Sequence, residues 1–259
     1  MKILLIPSSV SETGHDDHQY LSSYLINDSI AIDAGCLGFF KSAQAQARVK
    51  HVLITHTHID HIASLPILVE NAYEGTADCL TVYGSEVVLD CLQRDVFNDR
   101  VWPDFIGLSR GPMKHAPFLK LQTLEAGRPI VLDGVKFTPV PVDHLVPTMG
   151  FLIEDATSAV VVASDTGPTE EIWRLANATP HLKAVFLETC FPNELEWLAK
   201  ASMHHTAASF AVEVRKLHAP VPVIVVHIKA RFRELVIREL EALGLPTMRI
   251  GQFGTPYHF

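Results

Sequence analysis

Cysteine, basic residues and long apolar runs are all scarce in this sequence. Four cysteines, Cys36, Cys79, Cys91 and Cys190, occur in 259 residues. None forms a Cys-x-x-Cys pair, and no dense framework exists. That excludes a disulfide scaffold and reads as buried thiols in a reducing compartment. Lysine and arginine number 21 against 29 acidic residues, a formal net charge of −8. This lacks the basic footprint of a general nucleic-acid binder, although a small or metal-neutralised anion remains compatible with it. No apolar run approaches the roughly 20 residues that cross a bilayer. The opening Met1-Lys2-Ile3-Leu4-Leu5-Ile6 stops at Pro7, too short for a secretory core. A soluble, cytoplasmic protein with no membrane partner is expected. No Gly-rich loop follows the first apolar run, which counts against a doubly wound nucleotide fold.

The chain is instead rich in core material and in histidine. Hydrophobic residues make up 48% and charged residues 19%, which excludes the disordered classes, and 14 residues are histidine. Histidine is the commonest metal ligand and the usual proton carrier near neutrality. Short β-branched runs predict strands near 2–6, 24–26, 30–33, 51–55, 80–83, 136–142, 150–154, 159–164, 184–188, 222–227 and 248–250. Apolar residues at helical spacing predict helices over 61–73, 85–97, 169–177, 204–218 and 230–243. A meander of strands followed by helices occurs twice. The expected fold class is α/β, an αββα sandwich of two packed mixed sheets flanked by helices. The length favours a single domain over 1–259. Pro103, Pro112, Pro117 and Pro129 make 97–129 read as irregular, and so long a connection suggests a substrate-capping insertion.

The strongest chemical signal is Thr55-His56-Thr57-His58-Ile59-Asp60-His61, directly after the apolar run Val52-Leu53-Ile54. Alternation along an extended strand puts His56 and His58 on one side. The turn into the next helix then lets Asp60 and His61 face a second point close by. Such a layout suits two metal ions sharing a site, and imidazole and carboxylate donors suit zinc, manganese or iron. Further ligand types close other apolar runs: His144 after Val140-Pro141-Val142-Asp143, Asp165 after Val160-Val161-Val162-Ala163-Ser164, and His227 after Val223-Ile224-Val225-Val226.

This combination resembles the metallo-β-lactamase fold superfamily. The resemblance implies one metal held by His56, His58 and His144, a second held by Asp60, His61 and His227, and Asp165 bridging both. Asp33, in Ile30-Ala31-Ile32-Asp33-Ala34-Gly35, matches the family's first motif and is expected to orient a ligand histidine or the turn from behind. Two segments resemble phosphodiesterase branches. Met203-His204-His205-Thr206, after Leu187-Glu188, implies that His205 protonates a leaving oxygen while Glu188 orients it, with His204 an ordinary residue at a helix start. Asp95 to Phe105 looks like a segment of class II cyclic-nucleotide phosphodiesterases, as do His-Thr-His-Ile-Asp-His-Ile-Ala-Ser-Leu-Pro and His227-Ile228-Lys229. Asn98, Trp102 and Phe105 are therefore expected at the substrate, the two rings stacking on a base. The Ser8 to Gly14 stretch and Ala230 depart from that family's pattern.

The implied reaction is hydrolysis of a 3′,5′-cyclic nucleotide, cAMP first, to the 5′-monophosphate. A water shared between two divalent metal ions, zinc first, would attack, with Asp60 helping to orient it. A tRNase Z-like nuclease shares the ligands but needs a basic docking surface for structured RNA. A thioesterase has no use for His205 or the Trp102 segment, and a non-catalytic metal binder would have eroded ligands. A small-molecule partner is expected and nucleic acid is not; a homodimer is left open.

Overall fold

The computed structural model describes residues 1–8 and 18–259; the loop residue His15, expected to be solvated, lies outside them. Among the described residues two seven-stranded sheets form. The first contains β1 (Lys2–Leu5), β2 (Tyr24–Ile26), β3 (Ile30–Ile32), β4 (His51–Leu53), β5 (Leu80–Gly84) and β6 (Leu119–Thr123). The second contains β7 (Ile130–Leu132), β8 (Val135–Val142), β9 (Thr148–Glu154), β10 (Ala159–Val162), β11 (Leu182–Glu188), β12 (Val223–Val226) and β13 (Met248–Ile250), while β14 (Pro256–His258) returns to the first sheet beside β1. The same pairing pattern occurs in both: β1–β2–β3 and β8–β9–β10 are antiparallel, then β3 to β6 and β10 to β13 run parallel.

Parallel strands are covered on both faces, and the sequence is apolar on both. In β10, Val160 and Val162 face the other sheet while Val161 faces the helices, as the two-residue side-chain period requires. The inter-sheet layer joins Ile3, Leu5, Ile26, Ile32 and Leu53 of the first sheet to Phe137, Phe151, Val162, Phe186 and Ile224 of the second. Each such side chain, taken from water, contributes about 1.5–3 kcal/mol. Helices α3 (Leu65–Asn71), α4 (Glu86–Cys91) and α5 (Phe105–Arg110) cover the first sheet, as does the short α2 (Ile59–Ile62), while α1 (Ala43–Gln46) packs against α3. Helices α6 (Glu171–Asn177), α8 (Ala207–Val214) and α9 (Arg233–Ala242) cover the second, and α7 (Glu196–Ser202) packs nearby. The expected αββα sandwich is the observed architecture.

Several local expectations change. The helix over 61–73 is broken at Ser64, whose hydroxyl donates to the Ala34 carbonyl and accepts from Gly38 N–H. The helix over 85–97 ends in a wider π turn at Leu92–Val96. The 97–129 stretch is not irregular throughout. It carries α5, whose first turn is capped by Asp104 accepting from Gly107 N–H (2.7 Å), and β6, which pairs in parallel with β5. Strands β6, β7 and β14 and helices α1 and α7 lie outside the strands and helices that the apolar pattern predicts. No helix among the described residues is long and apolar enough to cross a membrane.

Candidate metal centre

The chemistry-bearing side chains leave the ends of β3, β4, β8, β10, β11 and β12 along one edge of the sandwich. Several leave through left-handed backbone: Asp33 (φ 59°), Ser164 (φ 61°), Met203 (φ 54°) and His227 (φ 58°). Each costs about 1–3 kcal/mol outside glycine, so surrounding contacts must hold them. Gly35 shows how tightly the turn is clamped. A Cβ there would stand 2.1 Å from the Asp60 carbonyl. That carbonyl accepts from Ser22 N–H, and the His61 carbonyl accepts from Ala34 N–H, both at 2.8 Å. Backbone bonds thus fix the turn before any side chain contributes.

His56, His58, His144 and Asp165 form one group whose donor atoms lie within 4.8 Å of one another, and Asp60, His61 and His227 form a second. Asp165 Oδ2 reaches both: it lies 3.0 Å from His227 Nε2, 3.3 Å from His61 Nε2 and 3.9 Å from His56 Nε2. Asp60 Oδ2 is 3.4 Å from His227 Nε2. His56, His61 and Asp165 are buried, whereas His58, Asp60 and His144 are half-buried, so the nest opens on that side.

Hydrogen bonds behind the nest set the ring orientations. Asp33 accepts from His61 Nδ1 (2.6 Å), Thr55 N–H (2.8 Å) and Thr55 Oγ1 (2.9 Å). His56 Nδ1 stands 3.0 Å from Thr55 Oγ1, and His144 Nδ1 donates to the Met203 carbonyl (3.1 Å). These contacts leave each Nε2 facing inward. Asp33 thus stands behind a ligand-type histidine, its Oδ2 on His61 Nδ1.

The donors fit a divalent cation. Among the described residues, His56 Nε2 and His61 Nε2 are buried without a hydrogen-bond partner. Such groups are costly unless something completes them. His144 Nε2 and His58 Nδ1 face each other at 3.2 Å, close to the roughly 3.3 Å between nitrogens on a tetrahedral zinc with bonds near 2.0–2.1 Å. Burial keeps His56, His58 and His144 below the usual histidine range, and a neutral imidazole is the ligating form. Burial opposes charge on Asp165, but His227 and His61 hold its carboxyl well below the usual range. Burial likewise opposes charge on His61, and Asp165 and Asp33 reverse that, favouring a positive charge at this spot.

Next to the nest lies a buried dyad. His204 Nδ1 donates to Glu188 Oε1 (2.5 Å), and the His204 ring stands 4.9 Å from that of His144 and 6.1 Å from that of His227. Burial opposes protonation of His204, but Glu188 raises its pKa above the usual value. The expectation for His205 is corrected here. Its ring is fully buried against α8, with Nδ1 at Ser209 Oγ (3.1 Å), and only its backbone N–H touches Glu188. The reason is local. Thr206 is extended (φ −96°, ψ 171°) and caps α8 through a reciprocal Thr206–Ser209 box. Adjacent residues of an extended segment face opposite ways, so His204 meets the nest and His205 the helix. The Thr206-x-x-Ser209 spacing was a readable signal for this phase.

The residues expected at the substrate make contacts within the chain. Asn98 spends its amide on a turn, donating to the Arg94 carbonyl and accepting from Arg100 and Val101 N–H groups. Phe105 is buried and stacks on Phe118 (4.1 Å, 5°). Trp102 is half-buried against the same cluster, its backbone paired with Phe97. Phe97 and Phe105 thus anchor the segment in the core, while Asp99, Arg100 and Val101 between them are exposed. Sequence reading gave no role to Gln19, whose Oε1 accepts from His227 N–H (3.0 Å), or to Lys229, which donates to Asp60 Oδ2 (3.2 Å).

An αββα sandwich with imidazoles and carboxylates converging at one edge defines a metallo-hydrolase-type fold and site. A family model described as a beta-lactamase superfamily domain matches residues 29–228, and the chain belongs to that superfamily. It is 26% identical over 224 residues to a Yersinia pestis protein named "Probable 3′,5′-cyclic-nucleotide phosphodiesterase", covering 74% of this chain and 62% of that one. It thus spans about six-tenths of that relative's length. It is 25% identical over 234 residues to a Ribonuclease Z of Lactobacillus gasseri, covering 75% and 74% of the two chains. Its fold is similar to that of unliganded yeast PDE1, with TM-score 0.76 at 18% identity over 98% of both chains.

Proposed function

We propose that the chain is a phosphodiester hydrolase acting on a 3′,5′-cyclic nucleotide, cAMP first, with two divalent metal ions, zinc first. His56, His58 and His144 would hold one ion, Asp60, His61 and His227 the other, and Asp165 both. The observation that carries this is the position of Asp165 Oδ2, within 3.0–3.9 Å of histidine nitrogens from both groups. Bound there, two such ions supply a nucleophilic water near neutral pH and offset the charge of the phosphodiester.

The chain's own residues supply the remainder. Asp60, half-buried at the opening, helps orient the attacking water. Water's oxygen bonds to phosphorus as the bond from phosphorus to the 3′-oxygen breaks. The departing oxygen needs a proton, and His204 stands beside the nest to give it from Nε2, because Nδ1 is held by Glu188. Such proton transfer contributes about 10²–10⁴-fold. Glu188, buried between His204 and the backbone N–H of His205, holds the ring in place.

The resemblance of several segments to class II cyclic-nucleotide phosphodiesterases supports this substrate over RNA, as does the net charge of −8. The test is to incubate metal-loaded protein with 3′,5′-cAMP and, separately, with a tRNA precursor bearing a 3′ trailer. Appearance of 5′-AMP is expected. Trailer removal with inert cAMP would overturn the reading in favour of the nuclease.

A further inference from the structure

A groove of about 280 Å³ follows His227 of the nest in the chain, lined by His18, Ala230, Arg231, Phe232, Glu234, Leu235 and Arg238. It begins three residues past His227, so Ala230 Cα lies within about 11 Å of His227 Cα. Between them stands Lys229, its ammonium on Asp60 Oδ2 and 3.3 Å from His227 Nε2. The backbone also ties the two places together: Gln19, next to His18, bridges to Lys229 and accepts from His227 N–H.

Arg231 and Arg238 are both exposed. Glu234 lies three residues after one and four before the other, the spacing at which helical ion pairs form. Yet among the described residues neither arginine stands within ion-pair distance of a carboxylate. Arg94, Arg128 and Arg174, by contrast, each pair with an acid close in sequence. Arg231 instead lies over the Phe232 ring at 5.5 Å. Among the described residues, two guanidinium groups with their donors unspent on carboxylates thus line a groove that Lys229 precedes in the chain. The planar fork of arginine matches phosphate oxygens.

We infer that this groove binds a phosphate group beyond the scissile diester, so that besides the cyclic nucleotide the site takes diesters carrying a further phosphate, such as a 5′-phosphorylated dinucleotide. Placing the scissile diester at the nest rests on the phosphodiesterase reading above; the groove's affinity for phosphate does not.

The dinucleotides pApA and ApA share one diester and differ only in the terminal phosphate. Their dissociation constants are measured by calorimetry on the metal-loaded chain and on the Arg231→Ser/Arg238→Ser variant. Wild-type protein is expected to bind pApA about tenfold or more tightly than ApA, the scale of charge-assisted bonds to phosphate. In the variant the ratio should fall to about 1, with cAMP turnover unchanged. Equal binding of the two by wild-type protein, or a preference that survives in the variant, would overturn the inference. Turnover of cAMP on the same wild-type sample separates the two ideas. A retained pApA preference with no diester hydrolysed would sink the catalytic reading and leave the groove standing.

Discussion

Asp33→Asn changes one buried carboxylate oxygen to an amide nitrogen and should remove a metal ligand that it never touches. In the wild-type chain Asp33 Oδ2 accepts from His61 Nδ1 at 2.6 Å and keeps a proton on that nitrogen, so Nε2, facing Asp165, is the atom that would give up its proton to ligate a metal. Asparagine keeps the shape. Its Oδ1 can still accept from Thr55 N–H at 2.8 Å, while its NH₂ takes the place of Oδ2. The amide now donates to His61 Nδ1, so the ring proton moves to Nε2. That proton points at Asp165 Oδ2, 3.3 Å away, and His61 donates there in place of ligating. The metal-free fold exchanges one charge-assisted bond for a neutral one, a cost of about 1 kcal/mol. Metal affinity should fall about 10–100-fold, the usual scale for losing the group behind a ligand histidine. Asp33→Ala should differ. It leaves Thr55 N–H, the Thr55 hydroxyl and His61 Nδ1–H without their acceptor in a buried site, at about 1–3 kcal/mol each. Chelator competition measures the affinity, and urea unfolding of metal-free protein measures the stability. Wild-type affinity for both ions in Asp33→Asn would refute this reasoning.

The two adjacent histidines should separate cleanly. His204→Ala should keep its metal content and lower kcat about 10²–10⁴-fold, whereas His205→Asn should lower the unfolding midpoint and leave most of kcat. Glu188→Gln should move the alkaline limb of the rate to lower pH. Burial pushes the His204 pKa down and the Glu188 carboxylate holds it up, so without that charge the proton leaves earlier as pH rises. A limb that stays in place would remove Glu188 from that role. Phe105→Ala should cost about 3–5 kcal/mol in urea unfolding, with KM for cAMP unchanged; a raised KM at full folding would return Phe105 to the substrate.

The sequence carried the layers and the nest because both rest on short-range pattern. Apolar runs such as Val160-Val161-Val162 are buried on both faces and read as strands directly, and the ligand types follow them within a few residues. Edge strands leave a weaker trace. In β6, Lys120 and Gln122 alternate with Leu119 and Leu121 at the margin of a sheet, inside a proline-marked stretch. That stretch looked like an insertion because the stacking of Phe105 on Phe118 joins residues a helix and a turn apart. The choice between His204 and His205 depended on one residue of phase, set by where α8 starts. The left-handed turns at Ser164 and His227 aim two ligands, and nothing local in the sequence announces them.

The most direct test is a titration of metal-free protein with zinc while 3′,5′-cAMP turnover is followed. The rate should rise to a break at two equivalents per chain, with 5′-AMP as product. A break at one equivalent, or a fully loaded protein that leaves cAMP intact, would contradict a two-metal cyclic-nucleotide phosphodiesterase built on His56, His58, Asp60, His61, His144, Asp165 and His227.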